Sequence, residues 1–256
     1  MSTIFEPTIL RFESIDSTNL EAMRQARAGA AEGLCIVARE QTHGRGRLDH
    51  SWHSPKDAGL YFSIVLRPQL KTETWSLITL MAALAVSDAL FKSCDLRADI
   101  KWPNDICVSD RKVGGILAET IETDNGTAAI VGIGINLNKA AFPPGVGERA
   151  LSVESATGRQ PDRELVLQKL VQAVSERYDL LQSSGGPEHT IREWCANSTY
   201  AMGRRVRVSI VNDAFEGITR GLESDGALRV ETNNGRFRIV RAGDVTALRA
   251  TGSDES

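Results

Sequence analysis

Cysteine is sparse in this chain and carries no pattern. Cys35, Cys94, Cys107 and Cys195 lie far apart with no Cys-x-x-Cys pair, which argues against a zinc site and a disulfide framework. They read as buried, reduced, small hydrophobes. Charge of one sign is equally lacking. Thirty Lys and Arg oppose 33 Asp and Glu, and a net charge of −3 gives no general drive toward nucleic acid or an anionic membrane. No run is expected to span a bilayer. The opening Met1-Ser2-Thr3-Ile4-Phe5-Glu6-Pro7, followed by Arg11 and Glu13, holds no secretory apolar region, so the expected location is cytoplasmic. Internal repeats and low-complexity tracts are absent.

What is present is a mixed order of helix and strand signals. Asp16-Ser17-Thr18-Asn19 clusters cap-forming residues ahead of a helical run with Leu20, Ala22, Met23 and Ala26 that ends near Gly29. Cys35-Ile36-Val37-Ala38 reads as a short buried strand. Ala58 to Leu66 reads as another, with Leu60, Phe62, Ile64 and Leu66 on one face by alternation. Trp75 to about Phe91 keeps near-helical apolar spacing and predicts a core helix. Ile106-Cys107-Val108 and Val113 to Ala118 flank the polar turn Ser109-Asp110-Arg111, which predicts a β-hairpin. Ala128 to Ile135 adds a strand. Phe142 to Ser155, with Pro143-Pro144-Gly145, reads as loop, and Pro161-Asp162 opens a long amphipathic helix through Leu165, Leu170, Tyr178 and Leu181.

After Gly185-Gly186-Pro187 and a short helix around Trp194, the pattern changes to short alternating strands. Turns are expected at Asn212-Asp213, Asp225-Gly226 and Asn233-Asn234-Gly235. The chain therefore divides near residue 200, into residues 1–199, a small C-terminal β-barrel over 200–252 and a polar tail at 253–256. The order of elements before that boundary predicts α+β, with a mixed, largely antiparallel sheet and packed helices.

Gly44-Arg45-Gly46-Arg47 alternates guanidinium groups with glycines that let the backbone approach a ligand closely. That combination suits an anion such as a carboxylate or phosphate. Ser17, Thr18, Asn19 and Gln41 are neutral hydrogen-bonding groups suited to an uncharged polar ring. Ser17 and Thr18 also read as a helix cap. Lys101-Trp102-Pro103-Asn104-Asp105 sets a cation and a carboxylate around a proline, and Lys112 follows the hairpin turn in Arg111-Lys112-Val113-Gly114-Gly115. Trp52 and Trp102 are candidates to line a pocket, or plain core.

With Gly132-Ile133-Gly134-Ile135-Asn136-Leu137-Asn138, these segments in this order resemble the biotin–protein ligase family over nearly the whole chain. The resemblance implies a class II synthetase-like ligase domain and a Src-homology-type barrel. It implies that biotin and MgATP give biotinyl-5′-AMP, and that a lysine of a biotin carboxyl carrier domain of a biotin-dependent carboxylase then attacks the mixed anhydride. Arg47, Lys112, Lys101 and Asp105 would be catalytic. Ser17, Thr18, Asn19, Gln41, Gly44, Arg45, Gly46, Trp52, Asn104, Gly114, Gly115 and Asn136 would bind biotin and nucleotide. No protein metal site is expected apart from Mg²⁺ with ATP, and a homodimer is allowed.

Two departures qualify the resemblance. Leu48-Asp49-His50-Ser51 stands where family loops often continue with Gly and Arg, which puts the triphosphate contacts of His50 in doubt. No helix-turn-helix segment precedes the ligase motifs, so DNA binding is not expected. The competing readings are a lipoate–protein ligase and a biotin-binding protein without turnover. Arg204, Arg205 and Arg207 offer either a docking face for an acidic acceptor or a solvated strand.

Overall fold

The computed structural model describes residues 7–48, 50–139, 142, 147–210 and 213–248. β1 (Thr8–Phe12) pairs in parallel with β2 (Leu34–Ala38), and α1 (Thr18–Arg27) makes the crossover that a parallel pair requires. β3 (Gly59–Leu66) then adds antiparallel, followed by α2 (Leu77–Cys94), β4 (Asp99–Lys101), β5 (Asp105–Val108), β6 (Arg111–Thr123) and β7 (Gly126–Asn136). The sheet order is β1-β2-β3-β7-β6-β5-β4, mixed only at its first pair.

The two faces of this sheet have different fates. On one, Val37, Leu60, Phe62, Ile64, Leu66, Val131, Ile133 and Ile135 pack against α2, α4 (Arg163–Gln182) and α5 (Gly186–Ala196). On the other, Ile36, Val65, Ala128 and Ile130 meet Ala22 and Ala26 of α1. β3 is central and covered on both sides, so all eight of its residues are buried and its alternation does not become a wet face. Burying a side chain such as Phe62 or Leu66 contributes roughly 1.5–3 kcal/mol before entropy.

The expected hairpin forms with Ser109 and Asp110 at φ +50° and +59°, the pair of positive φ values that a two-residue turn needs to follow strand twist. Two expectations change. Residues 72–94 are long and apolar enough to pass a membrane-span test, with mean hydropathy 1.6. They are a short 3-10 turn plus α2, whose buried positions pack into the core. The segment read as loop before Ser155 ends in a short helix, α3 (Val153–Thr157), capped by the Ser152 hydroxyl accepting from Ser155 N. Pro143-Pro144-Gly145 lies outside the described residues, as do Asn212 of one predicted turn, Asp49 and the tail.

The C-terminal strands β8 (Met202–Ile210), β9 (Asp213–Leu222), β10 (Leu228–Thr232), β11 (Phe237–Val240) and β12 (Asp244–Ala247) form a five-stranded antiparallel sheet in the order β11-β10-β9-β8-β12. Its Val206, Val208, Leu228, Val230 and Val245 join the same apolar cluster as α2 and the main sheet. Polar contacts fix its seat. Trp102 Nε1 donates to Gly226 O at 3.0 Å, and Arg204 reaches both oxygens of Asp110 at 3.0 Å. Arg204 is thus paired within the molecule, and Arg205 faces Glu216 at 3.5 Å.

Candidate active site

Glycine in place of side chains makes the site. Gly115 of β6 stands opposite Gly134 of β7, and Leu117 opposite Gly132. All lie on the α1 face beyond the helix. The missing Cβ atoms are filled by neighbours from elsewhere in the chain. A Cβ on Gly132 would sit 2.1 Å from Asn19 Oδ1, and one on Gly134 would sit 2.5 Å from Trp52 Nε1. A bare main-chain floor therefore runs across two strands, with the Trp52 indole lying on it.

One end of this floor is polar and neutral. The Gln41 carbonyl oxygen accepts from Thr18 N at 2.8 Å and from the Thr18 hydroxyl, while its amide nitrogen donates to Ser54 Oγ at 2.8 Å. Gln41, distant in sequence, caps α1. The expected cap by Ser17 is corrected, since its side chain makes no capping bond. Ser17 is buried, and its hydroxyl has no hydrogen-bond partner among the described residues. Asn19 accepts from Ser63 Oγ at 2.6 Å and donates to Glu119 at 2.9 Å.

The Gly-Arg segment is a short hairpin folded on itself. Gly46 N donates to His50 O at 2.7 Å, Trp52 N to Gly44 O at 2.8 Å, and Arg45 bridges Ser51. Gly44 is obligatory here, because a Cβ would lie 2.3 Å from Trp52 O. The two arginines diverge. Arg45 pairs with Glu119 at 3.0 Å and is spoken for, whereas Arg47 reaches Asn104 Oδ1 at 3.2 Å and Gly243 O at 3.5 Å. Asp244 lies 3.9 Å from Arg47, so the C-terminal sheet touches the loop. His50 contributes main-chain contacts to the hairpin.

The other end of the floor is cationic. β6 carries one extra residue, Val113, against β5: Ile106 pairs Gly114 while Cys107 pairs Lys112. Such a bulge breaks the alternation and re-aims a side chain. Lys112 is thereby turned onto the face of Gly115, where its Cε lies 3.0 Å from a would-be Cβ. Its ammonium is 2.6 Å from Asp105 Oδ1 and 5.3 Å from the centroid of the Trp52 ring. Lys101 stands 3.8 Å from the same carboxylate. Asn104 is pinned by its amide nitrogen donating to Ile116 O at 2.7 Å. Asn136 donates to Lys112 O at 3.4 Å and Leu151 O at 3.2 Å, so it steadies the lysine's main chain. Gly114 gives β6 close passage past Gly134 O.

Around the floor, Lys101 and Lys112 share the Asp105 carboxylate, and Arg47 has Asp244 at 3.9 Å, so three cations stand against two carboxylates. Partly buried cations in excess of their partners favour an anionic ligand. Trp102 is 2% exposed and, with Arg47 and Asn104, helps line a cavity of about 540 Å³ that reaches Asp225 and Gly226 of the C-terminal segment. Burial pushes the Cys107 thiol up to about 12, so this cysteine beside the site is not a nucleophile. Sequence reading missed Glu119, Ser54 and Ser63. The first is legible only as one polar residue in an alternating strand.

A neutral polar pocket, a flat floor and a cationic end define a domain that holds a small acid and activates it with a phosphate compound. A family model for the biotin/lipoate A/B protein ligase family matches residues 11–136, and one for the biotin protein ligase C-terminal domain matches 201–246. The bifunctional ligase/repressor BirA of Bacillus subtilis is 34% identical over 240 residues, covering 91% of this chain and 72% of that protein. The biotin–[acetyl-CoA-carboxylase] ligase of Paracoccus denitrificans is 34% identical, covering 90% and 96%. The Aquifex aeolicus biotin protein ligase in complex with biotin and ATP superposes with a TM-score of 0.81 at 29% identity, covering 96% of this chain and 100% of that one. The chain belongs to the biotin protein ligase family.

Proposed function

We propose that this cleft activates biotin with ATP and transfers it to a protein lysine. The carrying observation is the glycine floor between a neutral polar end and three cations that outnumber their two carboxylates, Asp105 and Asp244. Biotin's uncharged ureido ring suits the Ser17, Thr18 and Gln41 end, where the Ser17 hydroxyl remains to be satisfied. Its aliphatic chain suits the apolar surface of the Trp52 indole that covers the glycines. Its carboxylate then lies toward Lys112.

In the first step a biotin carboxylate oxygen attacks the α-phosphorus of ATP and pyrophosphate leaves. Two anions must approach, and charge grows on the phosphoryl oxygens, so fixed cations lower the barrier. Lys112, Lys101 and Arg47 are placed for that work. Mg²⁺ enters as part of MgATP. Among the described residues no group of three or more His, Cys, Asp or Glu gathers to hold a metal, and the donor set suits an ion held chiefly by phosphate oxygens. In the second step the acceptor amine attacks the acyl carbon, AMP leaves, and the amine loses its proton as the amide forms. The acceptor we propose is the carrier domain of a biotin-dependent carboxylase.

Biotin-dependent exchange of labelled pyrophosphate into ATP tests the first step, run beside lipoate and octanoate. Exchange with biotin alone is the expected result. Exchange with lipoate in its place moves the chain to the sister ligases, and exchange with no acid leaves a binder without turnover.

A further inference from the structure

Glu119 joins two of the site's separate segments, α1 and the Gly-Arg hairpin. It lies four residues beyond Gly115 on β6, on the floor face, opposite Ile130. Its Oε2 accepts from Asn19 Nδ2 at 2.9 Å and from Arg45 Nη1 at 3.1 Å, and its Oε1 faces Arg45 Nη2 at 3.0 Å. Its side chain is 21% exposed. Asn19 in turn fills the space that Gly132 leaves and accepts from Ser63. A continuous chain of polar contacts thus runs from β3 through α1 and β6 to the Gly-Arg hairpin.

Resting on the ligase reading, we infer that Glu119 is a positioning residue, setting the biotin end of the cleft through Asn19 and Arg45. The charge argument is simple. A carboxylate mostly withdrawn from water needs a cation, and Arg45 is the cation within reach. Capturing Arg45 fixes the hairpin's first strand, and with it the Gly44 and Gly46 main chain that borders the floor. The same carboxylate orients Asn19 so that its carbonyl meets Ser63 and its bulk stays over Gly132. Arg45 is consequently neutralised in place and leaves the anionic work to Arg47, Lys101 and Lys112. Glu119 itself touches no reacting atom.

The test uses the full chain and three variants, Glu119→Gln, Arg45→Gln and the two together. Glutamine keeps an acceptor for Asn19 and removes the charge. Loss of binding shared by ground and transition states raises KM with kcat unchanged. The expected result is a roughly tenfold rise in KM for biotin, with KM for ATP and kcat of pyrophosphate exchange within about threefold and an unchanged melting temperature. Arg45→Gln should match it, and the double Gln variant should add little. A biotin KM that does not move in Glu119→Gln overturns the inference, as does an equal rise in both KM values. Absence of exchange in the unmodified chain overturns the ligase reading instead, so the two failures are told apart.

Discussion

Lys112 meets Asp105 at 2.6 Å only because one extra residue in β6 turns its side chain across the strand. Lys112→Gln removes the charge and leaves a polar side chain one atom shorter. Loss of one preorganised charge-stabilising group costs roughly 10²–10³ in rate, so kcat for pyrophosphate exchange should fall by that factor while biotin binding by calorimetry changes little. An unchanged kcat would remove Lys112 from the chemistry.

Arg47 stands between Asn104 and the Gly243 carbonyl, at the mouth of the cleft and away from its polar end. Arg47→Gly should speed release of biotinyl-AMP about tenfold while biotin affinity shifts by less than about threefold, because the arginine acts after the anion forms. Stopped-flow release of preformed adenylate reads this directly. Equal losses for both ligands would place Arg47 in biotin binding.

Gly134→Ala adds a methyl 2.5 Å from the Trp52 indole. Overpacking of this kind costs about 1–3 kcal/mol. We expect a lower melting temperature and a raised biotin KM together, since the indole must leave the floor. Full activity in this variant would mean that Trp52 has room to spare.

Trp102→Phe removes the donor to the buried Gly226 carbonyl. An orphaned buried acceptor costs about 1–3 kcal/mol, and a urea titration should show that loss. Biotin-dependent exchange should persist, since phenylalanine keeps an aromatic wall in the cavity that Arg47 and Asn104 also line. Abolished exchange at full stability would return it to the site.

Burial raises both Cys35 and Cys107 from 9.0 to about 12. A raised folded-state value means that the associated stability is fully present below pH 9 and drains away as pH climbs toward 12. At pH 8 an alkylating reagent should therefore spare both thiols in the folded chain, and mass spectrometry should find them modified only on unfolding. Modification of Cys107 in the native protein would refute its burial.

The motif segments were legible because chemistry needing glycine, arginine and lysine together leaves a pattern in one dimension. The sheet then gathers them: Gly115 and Gly134 are neighbours across one register step. Direction was harder to read. Trp102 sits inside the motif yet points to the barrel, and Asn136 serves Lys112 through its main chain. The bulge at Val113 has no sequence signature, being a mismatch between two strands. β1 escaped because its five residues carry no buried position and little alternation. Glu119 escaped because its meaning depends on Asn19 and Arg45, 100 and 74 residues away.

The floor beneath Trp52 is main chain held in a ladder of strand hydrogen bonds, and main chain cannot be pared back. Side chains can be shortened to admit a larger guest; at Gly115, Gly132 and Gly134 none remains to shorten. Any widening of the range of acids this chain accepts must come from Leu117 beside these glycines, from Trp52 or from the Gly-Arg hairpin.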